Sequence, residues 1–133
     1  MSVRVRPAAP QTPMLFDLHV NDRGSWTVVA PVGELDLASA PRVRSEVLNI
    51  LADGARCIVI DLGGVDFLDS LGAGLLIAIR KRVQGLGGEL RLCRPEPHVV
   101  RVLALAGIDR VVAVFPTVEE AVGPVDDATV AVR

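Results

Sequence analysis

Residues 67–76 read FLDSLGAGLL, with a serine beside an aspartate and just ahead of two closely spaced glycines, where an apolar helix is predicted to begin. The first turn of a helix carries unpaired backbone N–H groups and the positive end of the aligned peptide dipoles, so this junction suits negative charge. A phosphate carried on the Ser70 hydroxyl would meet donors there. Gly72 and Gly74 cost helix stability, and two uses explain them. Bare backbone lets a partner, a nucleotide or a catalytic loop approach, or it lets the helix cross tightly over a sheet. Ser70 has an equally simple use as the cap of that helix, a contribution of about 1 kcal/mol. On the residues alone both readings stay open.

Other chemistries fit less well. A nucleophile elbow needs glycine two residues on either side of the serine, and Leu68 stands in the first of those places. No P-loop lysine follows, and GAG is too short for a dinucleotide fingerprint. His98 falls in a helix start and His19 on the polar side of a strand, which leaves a Ser-His-Asp triad without a convincing member. Cys57 and Cys93 sit in separate strands with no CxxC spacing, and are read as two buried, reduced thiols of a cytosolic protein. The expectation is no catalytic residue, no metal site and no cofactor.

The 133 residues suit one domain, half of them hydrophobic and 23% charged. Aromatics make up 3%, which weakens any reading that needs base-stacking platforms. A net charge of −2 has the wrong sign for general nucleic-acid binding. Arg80, Lys81 and Arg82 are the one basic cluster, read as a solvated helix face. No apolar stretch reaches the eighteen or so residues of a membrane span, and the N-terminus lacks the apolar region of a secretion signal. Residues 1–13 are read as a flexible leader, 14–122 as the domain and 123–133 as a flexible tail.

The elements that must position Ser70 follow from periodicity. MLFDLHV alternates like a strand, and NDRGS turns it into WTVVAPVGELD, an antiparallel hairpin. A helix follows with Val43, Val47, Ile50 and Leu51 inward, Ser39 as cap, Pro41 in its first turn and Gly54 at its stop. RCIVIDL reads as a buried strand and GGVDF as a turn. The next helix has an inward stripe of Leu75, Ile79, Val83 and Leu86. ELRLCR is a strand, and PEPHVVRVLALAG a helix with Val99, Leu103 and Ala106 facing the core. IDRVVAVF is a strand, and TVEEAV a short helix capped by Thr117. The fold class is α/β, a mixed sheet with an N-terminal antiparallel hairpin and about four helices packed on it.

The blocks VGELDLASAPRVRSEV, IVIDLGGVDFLDSLGAGLL and LGGELRLCRPEPHVVRVLALAGIDRVVAVFPTVEEAV together resemble a STAS domain, in particular the bacterial anti-sigma factor antagonists. The likeness rests on GELD at 33–36, then D-S-x-G-x-G at 69–74, in the right order over residues 14 to 122. The resemblance implies a non-enzymatic, cytoplasmic switch. Its partner would be an anti-sigma factor with serine kinase activity, which it binds to release a sigma factor. Ser70 would be the phosphorylation site that ends the complex, and a metal-dependent serine phosphatase would restore it. Asp36, Asp69, Leu71, Gly72, Ala73 and Gly74 would then be partner-binding residues. Leu71 and Ala73 depart from the family pattern, which has Ser or Thr and a larger apolar residue there. Leu71 is read either as an apolar contact for the partner or as a buried side chain. Glu34 and Asp36 are either a solvated strand end or a contact for the partner's basic surface. A rival reading is a STAS accessory subunit of a lipid-transporting ABC system that binds its ATPase constitutively.

Overall fold

The computed structural model describes residues 16–124. The predicted leader, most of the predicted tail and the first two residues of the predicted first strand lie outside them. Two strands, β1 (Phe16–Arg23) and β2 (Trp26–Leu35), pair antiparallel through a turn in which Gly24 takes a φ of 68°. Helix α1 (Ala40–Ala52) follows, with Pro41 in its first turn, and buries Val43, Val47 and Leu51. Ile50 is partly buried against the same core. Strand β3 (Cys57–Asp61) then pairs parallel with the first half of β2.

The segment predicted as the turn GGVDF is instead a strand, β4 (Gly64–Leu68), parallel to the second half of β2. Strands β3 and β4 therefore run end to end along one edge of β2. Asp61 Oδ1 accepts the Gly63 N–H at 2.9 Å between them. Helix α2 (Ser70–Gly85) leads to β5 (Glu89–Cys93), parallel to β3. Helix α3 (Pro97–Leu105) leads to a single 3₁₀ turn (Ile108–Arg110), the short strand β6 (Ala113–Phe115) and helix α4 (Val118–Ala121). The predicted strand IDRVVAVF is thus mostly a turn: Gly107 at φ 75° redirects the chain, and only three residues reach β5. Ala106 caps α3 and is exposed, not in the core. Leu86 lies beyond the end of α2 and is likewise exposed.

The six-stranded mixed sheet has the order β1-β2-β3-β5-β6, with β4 beside β2. Helices α1, α2 and α3 share one core with Val29, Ile58, Ile60 and Leu92. On the reverse face a smaller cluster gathers Trp26, Val59, Phe115 and Ala121 under α4. Arg91 of β5 joins that side. Its guanidinium lies 4.1 Å from the Trp26 ring centre and donates to the Ala121 and Gly123 carbonyls, each at 2.8 Å. Cys93 is buried beside it, whereas Cys57 is only half-buried, so one of the two thiols departs from expectation.

Candidate functional site

Strand β4 ends at Leu68, and the chain turns into α2 through Asp69. Asp69, rather than Ser70, is the cap: its Oδ1 accepts the Gly72 N–H at 2.9 Å while its backbone is extended. Ser70 becomes the first helical residue. Its side chain is exposed, and its hydroxyl takes no part in capping. The Asp69 carbonyl also accepts the Ala73 N–H at 2.9 Å, so the first turn is held without help from residue 70.

The two glycines have different reasons. A Cβ at Gly72 would lie 2.4 Å from the Leu35 carbonyl oxygen and 2.6 Å from Leu68 Cδ1, distances no methyl group tolerates. Gly72 lets α2 press against the end of β2, so close packing explains it and access does not. A Cβ at Gly74 would meet nothing within 4 Å, and the backbone there is open. Ala73 is buried beneath the same turn.

Leu71 is 52% exposed and so is not the buried side chain of the second reading. It lines a cleft of about 590 Å³ between α1 and α2 together with Leu37, Ala40, Arg44 and Gly74. Leu37, 70% exposed in the link between β2 and α1, went unnoticed in the sequence because a lone apolar residue in a turn carries no periodicity. Arg44 was missed for a related reason: only the packing of α1 beside α2 brings it to this rim.

The GELD segment adjoins the Ser70 turn through Leu35. Asp36 Oδ1 accepts the Ala38 and Ser39 N–H groups at 3.0 and 3.2 Å, which fixes the link into α1. Ser39 stands at the cap position of α1, yet its hydroxyl donates to the Glu34 carbonyl at 2.6 Å and not to the helix. Beyond β4, the His98 ring stacks on Phe67 at 6.0 Å, and its buried Nε2 has no partner among the described residues. Lys81 and Arg82 are solvated as expected, while Arg80 is half-buried and donates to the Val111 carbonyl at 3.2 Å. No group of His, Cys, Asp and Glu able to hold a metal ion occurs among the described residues. No helix among them is long and apolar enough to cross a membrane.

Comparison with known proteins agrees with this architecture. Residues 17–121 match the STAS domain. The anti-sigma-B factor antagonist of Bacillus subtilis is 30% identical over 80 residues, 60% of this chain and 72% of that protein. The anti-sigma-F factor antagonist RsfB of Mycobacterium tuberculosis is 28% identical over 102 residues, 77% of this chain and 83% of its own. A crystal structure of an anti-sigma factor antagonist from Mycobacterium paratuberculosis superposes with a TM-score of 0.74 at 29% identity, covering 83% of this chain and 93% of that one. Sheet order, the turn at Ser70 and the extent of the match lead to one conclusion: the chain belongs to the STAS domain family.

Proposed function

We propose that the chain is an anti-sigma factor antagonist: it binds an anti-sigma factor with serine kinase activity, frees the sigma factor, and is switched off by phosphorylation of Ser70. The observation that carries this reading is an exposed serine at the first position of α2 whose hydroxyl the helix does not need. The names of its relatives, the anti-sigma-B and anti-sigma-F factor antagonists, support the class of partner.

The unmodified surface offers Leu37 and Leu71 as apolar contacts, with Gly74 leaving room for close approach. Asp69 flanks the hydroxyl, and Asp36 holds the neighbouring link in shape rather than contributing a free charge. Gly72 and Ala73 support this surface from below. A phosphate adds about −1.5 to −2 charges. In the free domain the N-terminus of α2 accommodates that charge. In a complex the same group must be desolvated beside Leu37, Leu71 and Asp69, so affinity falls while the fold persists. A serine phosphatase then resets the surface. The chain acts as substrate and ligand of these enzymes, with no turnover of its own.

Incubation with ATP and the cognate kinase, followed by mass spectrometry, is expected to find phosphate on Ser70 and nowhere else. In pull-downs Ser70→Ala is expected to keep the anti-sigma factor and Ser70→Asp to lose it. Absence of phosphate from Ser70 together with unchanged binding by Ser70→Asp would remove the switch.

A further inference from the structure

The cleft that Leu37 and Leu71 open between α1 and α2 continues down the two helices. A second cavity, of about 350 Å³, shares Arg44, Leu48, Leu75 and Ala78 with the first, so the two form one groove. Along α2 it runs from Leu71 to Arg82. At about 1.5 Å per residue that is roughly 16 Å, enough for about three turns of a helix laid in it. Its floor is apolar: Val47, Leu75 and Ile79 are buried there, and Leu48 is half-buried. Gly74 and Ala78 are exposed and small, which keeps the α2 wall low enough for side chains to enter.

The rim carries charge of one sign. Arg44, Lys81 and Arg82 are exposed, and none of them forms an ion pair among the described residues. No Asp or Glu lines either cavity. On a chain of net charge −2 this is a surface of opposite sign. The apolar floor selects a segment with an apolar face, and the three unpaired bases select one that carries carboxylates. A bilayer needs apolar side chains that protrude, whereas Val47, Leu75 and Ile79 are sunk between the helices. A nucleic acid would leave that floor uncovered.

We infer that the α1–α2 groove seats an acidic amphipathic helix of the anti-sigma factor, its apolar face on Leu48, Leu75 and Ala78 and its carboxylates against Arg44, Lys81 and Arg82. The identity of that partner rests on the function proposed above. Lys81 lies eleven positions down α2 from Ser70, roughly 16 Å by helical rise, which is about twice the screening length at physiological ionic strength. A phosphate on Ser70 therefore leaves this end of the groove in place as an anchor.

Lys81 is the sole lysine of the chain, so the contact has a chemical test. A water-soluble carbodiimide joins an amine to a touching carboxylate through an amide, one carboxylate oxygen leaving in the urea. In a mixture of the full chain and its cognate anti-sigma factor, mass spectrometry is expected to find Lys81 joined to an Asp or Glu of the anti-sigma factor. Lys81→Arg keeps the charge, and is expected to keep binding while losing that cross-link. In titrations, Arg44→Glu/Lys81→Glu/Arg82→Glu is expected to bind about tenfold more weakly at low salt, in both the wild-type and the Ser70→Ala background, and the gap is expected to narrow in about 1 M NaCl. Equal affinity of the reversed and wild-type chains overturns the proposal, and so does Lys81 joined only to carboxylates of a second copy of this chain. Equal affinity with Ser70 still phosphorylated leaves the switch standing. Weakened binding by the reversed chain beside full binding by Ser70→Asp removes the switch and keeps the groove.

Discussion

Replacing Asp69 by Ala removes the carboxylate that receives the Gly72 N–H, and the expected cost is about 1 kcal/mol in urea unfolding. Ser70→Ala removes a hydroxyl that caps nothing, so its unfolding curve stays within about 0.5 kcal/mol of wild type. The two glycines separate equally well. Gly72→Ala forces a methyl onto the Leu35 carbonyl and costs about 1–3 kcal/mol, whereas Gly74→Ala enters open space and stabilises α2 by about 0.5–1 kcal/mol. Cys93 gives a pH test. Burial, then the charge of Asp61, pushes its thiol up from 9.0 to about 12. The unfolded chain therefore loses that proton first, and the contribution of Cys93 to stability is complete below pH 9 and declines as pH rises from there towards 12. Titration of the native protein with a thiol reagent at pH 8 labels the half-buried Cys57 well before Cys93. The D-S-x-G-x-G pattern was legible in the sequence, but the separate purposes of its glycines were not. That of Gly72 depends on a carbonyl 37 positions earlier, brought close only by the fold.

Among the elements, periodicity revealed the inward faces of α1, α2 and α3 because each keeps a helical repeat against one core. It failed at β4. Two glycines and one aspartate in GGVDF read as a turn, and the segment is a strand only because the second half of β2 offers an edge that β3 leaves uncovered. Periodicity is silent about Arg91, the charge within ELRLC. That side chain is buried between Trp26 and Phe115, paired with Glu89 and donating to two carbonyls. Arg91→Met keeps the length but not the donors. It is expected to cost about 2 kcal/mol or more and to raise hydrogen exchange at Glu120 to Val122 before the rest of the domain.

Across the whole molecule, β2 is the strand with the most neighbours, flanked by β1 on one edge and by β3 and then β4 on the other. Its Val28 and Val29 amides are expected to be among the slowest to exchange, because releasing them requires global opening. The far end of this strand is Leu35, whose carbonyl bears directly on the first turn of α2. Through Gly72 the turn that carries Ser70 is therefore packed onto the end of that strand. If Ser70 is phosphorylated as proposed, the expected consequence is altered surface chemistry rather than altered backbone shape, which unchanged Gly72 and Leu35 amide shifts in the Ser70→Asp variant would check.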